Sequence, residues 1–362
     1  MSATTDDAEL FARAERLRTE GKPGEAEALY RDILSREPRH LAARRGLAEV
    51  LATLGRADDA AAAQRGAQAQ EVENLCKVAH AALLHGRFDA AITCFERALD
   101  LEPNMPESIL TLGEAWYGRG QIKKALGLYR RCLELNPGNP EAEHMVAALG
   151  GGPKPTRASD AYVESLFDRF AEDYDRKLLE DLKYRGPQLL LEAVTEVLPR
   201  SPPRLDILDL GCGTGLAGLR LRPLARRLEG VDLSPKMVAR ARERGIYDAL
   251  SVAELTEALE VAERKFDLLV AADVFVYIGD LEPVFAAAAG ALRPGGLLAF
   301  TVEWRRGAGY GLIGSGRYAH NPAYLRKCGR SAGFKEISCT EAELRLEFGK
   351  PVKGYVSVMR KV

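Results

Sequence analysis

The sequence predicts an all-α array of helical repeats followed by an α/β domain built on a mostly parallel sheet. A glycine recurs at a spacing of 34, 31 and 34 residues through the first third of the chain, at Gly21, Gly55, Gly86 and Gly120. A break rich in glycine and proline, Gly150-Gly151-Gly152-Pro153-Lys154-Pro155, then interrupts it. Beyond the break, short apolar runs ending in glycine-rich or acidic turns alternate with helical stretches. With 362 residues, of which 46% are hydrophobic, each part has enough apolar material for its own core.

Charge and composition narrow the function. Lys plus Arg (51) nearly equals Asp plus Glu (52), so no basic field exists to hold nucleic acid phosphates or an anionic membrane. Met1 to Leu10 lacks a basic segment followed by an apolar run, and no stretch approaches the roughly eighteen apolar residues of a membrane span. The expectation is a cytoplasmic protein with neither nucleic acid nor membrane as partner. Cys76, Cys94, Cys132, Cys212, Cys328 and Cys339 are scattered with no Cys-x-x-Cys, which predicts reduced, mostly buried thiols and no metal site.

Each repeat glycine is followed at plus five by an alanine (Ala26, Ala60, Ala91, Ala125), and in three of four cases at plus nine by an aromatic (Tyr30, Phe95, Tyr129). Pro38, Pro103 and Pro137 stand at plus seventeen. A small residue is wanted where antiparallel helices cross closely, an aromatic where the second helix packs on its neighbour, and a proline where a helix must stop. The second unit is degenerate: Gln64 replaces the aromatic, Val72 the proline, and Ala60 to Ala63 is the one low-complexity patch. This pattern resembles the tetratricopeptide repeat family, with the array placed at 7–149. The resemblance implies a groove for a protein partner; a self-association or packing surface is the alternative. His80 and His85, five apart on a helix, do not share a face as metal ligands would.

Residues 150–158 are expected to be a linker, and 159–200 to carry helices that cover the site of the second domain. From Tyr162 to Glu172, Phe167, Phe170 and Tyr174 recur at helical spacing, which predicts an amphipathic helix whose apolar face needs a cover.

The run from Arg204 to Gly215 reads as a strand ending in Asp209, then Gly211-Cys212-Gly213-Thr214-Gly215, then a helix from Leu216. Glycines there let the backbone approach a ligand, and the carboxyl end of such a strand is where open α/β sheets bind ligands. A dinucleotide fingerprint starting at Gly211 would need glycine at 216, which is Leu216. A second strand, Leu228 to Asp232, ends in an acid able to accept hydrogen bonds from both ribose hydroxyls; Ser234 suits the following helix cap better than Asp232 does. Tyr247 to Leu255 follows with Ala253 and Glu254, then the apolar strand Phe266 to Asp273, then a turn and strand from Leu292 to Glu303. Leu344–Phe348 and Val352–Met359 read as two strands around a turn.

These ordered motifs resemble the class I S-adenosylmethionine-dependent methyltransferases over 159–362, and together with the repeats they resemble a bacterial group of tetratricopeptide-containing methyltransferases. The resemblance implies a Rossmann-like, seven-stranded, mostly parallel sheet with a C-terminal antiparallel hairpin, S-adenosylmethionine as cofactor and S-adenosylhomocysteine as product. It implies a cofactor site of Tyr174, Asp209, Gly211, Cys212, Gly213, Gly215, Asp232, Leu233, Met237, Ala253, Glu254 and Asp273, with Glu254 toward the adenine amino group. For Tyr174, which falls in the run Phe167 to Asp175 that resembles a segment folding over the cofactor, plain packing is the alternative.

Methyl transfer from a sulfonium is an in-line displacement, so alignment of the nucleophile and removal of its proton are the main tasks. Ala272-Asp273-Val274-Phe275 lacks the Pro-Pro-Tyr of enzymes acting on adenine N6 or glutamine amides, and no carboxylate cluster is placed to hold magnesium. The glycine-rich stretch Gly307 to His320 is expected to be a flexible loop shaping the acceptor pocket. His320 is the candidate base, with Asp273 as a second; Arg317 is a candidate clamp for an acceptor carboxylate or phosphate; Tyr277 or Tyr310 would wall the pocket. For His320 a place beside the helix cap at Asn321-Pro322 competes, and for Arg317 a structural ion pair. The expected activity is methyl transfer to an O or N nucleophile of a small-molecule acceptor. A protein methyltransferase recruiting its substrate through the repeats is the alternative, and a non-catalytic scaffold the minor one.

Overall fold

In the computed structural model, which describes residues 3–170, 174–200, 203–262 and 265–362, the repeat region is helical. It comprises α1 (Ala3–Thr19), α2 (Pro23–Arg36), α3 (Leu41–Thr53), α4 (Ala57–Leu84), α5 (Phe88–Leu101), α6 (Pro106–Gly118), α7 (Ile122–Leu135) and α8 (Pro140–Ala148). Proline sets where these helices stop: α2, α5 and α7 end just before Pro38, Pro103 and Pro137. Where Val72 stands in place of the proline, nothing breaks the helix, and α4 runs on for 28 residues with Val72 buried in it. Gly21, Gly55, Gly86 and Gly120 make the turns at φ of 76°, 75°, 67° and 78°, left-handed values that favour glycine.

The chain forms two compact units, Met1–Arg119 and Gly120–Val362. In the first, Ala26 and Tyr30 are buried with Ile33, Ala43 and Leu47, and a Cβ on Gly46 would lie 2.4 Å from the Tyr30 ring, so a small residue is required where these helices cross.

The second unit is organised around a nine-stranded sheet of order β3-β2-β1-β4-β5-β7-β6, with β9 also on β5 and β8 on β9. The strands are β1 (Leu205–Leu210), β2 (Ala225–Asp232), β3 (Ala249–Val252), β4 (Phe266–Ala271), β5 (Leu292–Trp304), β6 (Tyr310–Leu312), β7 (Tyr318–His320), β8 (Phe334–Glu347) and β9 (Lys350–Lys361). β1 to β5 pair in parallel, and β8 and β9 form the expected antiparallel hairpin on β5. Seven strands were expected. The two extra ones, β6 and β7, come from the stretch read as a flexible loop, which instead turns back on itself as a hairpin whose second strand pairs with the end of β5.

Strand alternation splits the core in two. Ile207, Leu268 and Val270 face Leu190 and Val194 of α11 (Gly186–Val197) and Leu221 of α12 (Leu216–Leu221). Leu208, Leu269 and Phe300 face the opposite side, where Leu259 of α14 (Leu255–Glu260), Phe285 of α15 (Glu282–Ala291) and Leu325 of α16 (Pro322–Ser331) cover them. The covering segment contains α9 (Asp160–Phe170) and α10 (Tyr174–Arg176), the latter running into a π-helical turn at Lys177–Asp181; α13 (Pro235–Glu243) follows β2. The expected helix from Tyr162 to Glu172 is seen as α9, and its last part at 171–172 lies outside the described residues.

The unit boundary at Arg119 falls before the expected linker at 150–158, and that segment is bonded within the second unit. Lys154 Nζ donates to Leu312 O (2.9 Å), Pro155 O accepts from Tyr318 Oη (2.8 Å), and Thr156 O accepts from the N–H groups of Gly279 and Asp280 (2.8 and 2.9 Å). All six cysteines are free thiols, three buried and three partly so. Among the described residues no helix is long and apolar enough to cross a membrane, and no cluster of metal-ligating side chains is present.

Candidate cofactor site

The sheet order reverses direction at β1, with β2 on one side and β4 on the other, which opens a crevice at the strand ends. Gly211, Gly213 and Gly215 turn the chain from β1 into α12 at φ of 62°, 54° and 93°. A Cβ on Gly211 would approach Val274 Cγ2 to 2.5 Å, so only glycine lets this turn close on the end of β4.

Asp232 ends β2. Its Oδ2 accepts the Gly213 N–H (2.8 Å) and its Oδ1 the Ser234 N–H (2.9 Å). Burial pushes its carboxyl up, and these amides oppose that shift. Ser234 caps α13 by accepting the Met237 N–H (3.1 Å), so the capping role falls to serine and Asp232 is left to face the crevice.

The crevice, partly open to solvent, spans about 680 Å³. Gly211, Gly213, Asp232 and Leu233 form its floor, Ala253, Glu254 and Leu255 one end, and Asp273, Val274, Tyr277 and Ile278 the other. Asp160, Val163 and Phe167 of α9 roof it, together with Tyr174. The roof is tied down: Ser234 Oγ donates to Asp168 Oδ1 (2.5 Å), and Asp175 is bonded to Thr214 Oγ1 and to Arg244. Burial pushes the Tyr174 hydroxyl well up, which keeps it a neutral donor.

The other expected cofactor residues divide. Glu254 reaches the cavity but caps α14, accepting the N–H groups of Thr256 (2.7 Å) and Glu257 (3.2 Å), and it pairs with Arg157 (3.4 Å). Only the lone pairs left over can serve an adenine amino group. Asp209, Gly215 and Met237 do not line the cavity. Asp209 lies fully buried beneath the glycine turn, accepting from Tyr247 Oη (2.7 Å), with its carboxyl pushed up to about 7 by burial. Met237 is buried in the body of α13, and Gly215 is the residue before α12. Cys212 lines a smaller cavity of about 310 Å³ on the far side of the turn, with Tyr174 and Tyr184.

The expected catalytic residues also separate. Asp273 lines the cavity at φ 57°, a value uncommon for a side chain with a Cβ, and is locked there. Its N–H donates to Thr301 Oγ1 (2.8 Å), Thr301 Oγ1 donates to its Oδ1 (3.1 Å), and Arg345 Nη1 donates to its Oδ2 (2.6 Å). Arg345 also bonds Glu303, and both are buried. His320 is placed elsewhere: it is fully buried in β7, its Nε2 lies 3.1 Å from Gly279 O, and its ring stacks on Tyr324 at 6.0 Å. Burial lowers its pKa to about 4, which suits a neutral packed imidazole. Asn321 provides the cap of α16 that was the competing context for His320. Arg317 forms the ion pair, both oxygens of Glu347 lying 2.9 Å from its Nη1. Tyr277 walls the cavity, whereas Tyr310 packs among Tyr318, His320 and Tyr324.

Arg345, Glu303, Thr301 and Arg157 were not foreseen. Arg345 and Glu303 lie inside long strands where a charged residue reads as a solvated face, and a charge flanked by apolar residues, as in Leu344-Arg345-Leu346, was the available signal.

Two family models match this chain: a methyltransferase domain over residues 208–300, and a tetratricopeptide repeat over 17–74 and 82–149. Methyltransferase-like protein 27 of Homo sapiens is 42% identical over 104 residues, covering 28% of this chain and 42% of that protein. A ubiquinone biosynthesis O-methyltransferase of Xanthomonas oryzae pv. oryzae is 30% identical over 165 residues, covering 43% of this chain and 67% of that protein. The chain thus spans less than half the length of the human relative and about two thirds of the bacterial one. The solved structure of 1,6-didemethyltoxoflavin-N1-methyltransferase from Burkholderia thailandensis aligns at 18% identity and a TM-score of 0.45, over 58% of this chain and 93% of that chain. The chain belongs to the S-adenosylmethionine-dependent methyltransferases and carries tetratricopeptide repeats ahead of its methyltransferase domain.

Proposed function

We propose that this protein transfers a methyl group from S-adenosylmethionine to an oxygen or nitrogen nucleophile of a small-molecule acceptor, releasing S-adenosylhomocysteine. The observation that carries this reading is the roofed crevice in which the ribose-binding carboxylate Asp232, the glycine turn and an aromatic wall of Phe167, Tyr174 and Tyr277 converge. Such an enclosure suits a compact acceptor. The name of the Xanthomonas relative, an O-methyltransferase of ubiquinone biosynthesis, supports a small-molecule acceptor.

The residues fit the cofactor. Asp232 has one further lone pair on each oxygen for a ribose diol, and the side-chain-free glycine turn leaves room for the methionine end below Tyr174. The cofactor supplies an electrophilic methyl on a sulfonium. The chain's own work is to align the acceptor and exclude water, with α9 and Tyr174 as the cover. Asp273, held by Thr301 and Arg345, orients the acceptor's O–H or N–H in this scheme, and His320 takes no part in it.

Recruitment of a polypeptide by the repeats is the second reading, favoured by the repeat match itself. Incubating the protein with methyl-labelled S-adenosylmethionine and host lysate separates the two. Label in the small-molecule fraction that depends on Asp232 supports the first reading; label in precipitated protein supports the second. No label in either, with no cofactor binding, would point to the scaffold.

A further inference from the structure

α8 belongs by sequence to the repeats, yet two of its polar residues are buried against the roof of the cofactor cavity. Glu141 is 6% exposed and His144 5% exposed. Glu141 accepts from Ser165 Oγ (3.0 Å) and pairs with Arg169 (2.8 Å), both on α9. His144 stacks on Tyr162 of α9, with centroids 4.0 Å apart and planes at 19°. Its Nε2 also lies 2.7 Å from Gly316 O, in the turn between β6 and β7.

The helical repeat of α9 separates its faces. Asp160, Val163 and Phe167 look into the cavity, while Tyr162, Ser165 and Arg169 meet α8. The two buried polar residues therefore reach both the roof helix and the turn of the β6–β7 hairpin that carries Arg317. A packing helix without such a task would bury apolar residues at these positions, since burying a carboxylate costs unless partners satisfy it.

We infer that α8 is a clamp on the cofactor site: Glu141 and His144 are positioning residues that hold α9 over the cavity, with His144 braced on the β6–β7 turn, and so set how tightly the cofactor is enclosed. This rests on the cofactor reading above. A roof closed for only a fraction of the time lowers the apparent cofactor affinity by that fraction.

The test uses the full chain with Glu141→Gln, Arg169→Gln and His144→Phe, the last keeping the stack on Tyr162 but not the bond to Gly316. Ser165→Ala, an exposed site, covers the case in which a buried variant fails to fold. Binding of S-adenosylhomocysteine is read by calorimetry, and opening of residues 160–170 by hydrogen exchange. The expected result is affinity weakened by roughly five- to tenfold in Glu141→Gln. Exchange should rise in 160–170 while the protection of β1, β4 and β5 holds. On an identified acceptor, KM for S-adenosylmethionine should rise more than kcat falls. Unchanged affinity and unchanged exchange in folded variants overturn the clamp. If the unmutated chain binds no S-adenosylhomocysteine, the cofactor reading fails, and the exchange of 160–170 in the ligand-free variants still decides whether α8 holds the roof.

Discussion

Asp209 makes the folding stability of this protein fall with rising pH. Its carboxyl is fully buried, and burial raises its pKa to about 7, the hydrogen bond from Tyr247 opposing the shift. In the unfolded chain the same group titrates near ~3.9. Between those values the folded state keeps a proton that the unfolded state has lost, so stability is highest at the acid end and declines as pH rises through the window, levelling above it. A separation of about three pH units corresponds to ~4 kcal/mol, an upper bound because local relaxation and water entry reduce it. Asp209→Asn keeps an acceptor for Tyr247 and cannot ionise. Its stability relative to the unmutated chain should rise from near zero at pH 4 to ~2–4 kcal/mol at pH 8, read as the difference in urea midpoint at a common slope. A difference that stays constant with pH, or that shrinks as pH rises, would refute the buried protonated carboxyl.

His320 acts in the opposite direction. Burial holds its imidazole at about 4, so the unfolded chain binds the extra proton first, and stability is lost as pH falls from about 6.5 toward 4, by up to ~3 kcal/mol. His320→Phe should flatten that acid limb and leave kcat on an identified acceptor within about twofold, whereas a kcat falling by roughly a hundredfold or more would restore His320 as a base. Arg345→Met leaves the carboxylates of Asp273 and Glu303 without their shared counter-charge and should cost ~3–5 kcal/mol, seen as a lower urea midpoint. An unchanged midpoint would mean that water or a cation already serves those oxygens.

What the sequence made legible were features written in local chemistry. The glycine turn, Asp232 and the Ser234 cap are set by residues close together in the chain, and the structure brings Gly213 and Asp232 within hydrogen-bond distance of each other. The helix stops at Pro38, Pro103 and Pro137 are likewise local, and the missing proline at Val72 foretold an irregular unit without saying that the helix would run straight through. The rest depends on which distant segments meet. Nothing near His320 announces that β7 will be covered by Tyr310 and Tyr324, and a glycine-rich stretch reads as a loop until its ends pair. Arg345 reaches Asp273 across 72 positions, through a strand pairing that no short-range pattern specifies. The segment expected as a linker shows the same dependence: Lys154 Nζ reaches Leu312 O, and the carbonyls of Pro155 and Thr156 accept from Tyr318 and Gly279, far along the chain.

Calorimetric titration of S-adenosylhomocysteine into the unmutated chain and into Asp232→Asn bears on the cofactor site itself. Asp232 offers two acceptor oxygens to a ribose diol from a buried position, each such charge-assisted bond contributing ~1.5–3 kcal/mol. Saturable binding at one site per chain, weakened roughly a hundredfold or more in a folded Asp232→Asn variant, is the predicted result. No saturable binding to the unmutated chain, or equal binding by both, would contradict the assignment of this crevice to S-adenosylmethionine.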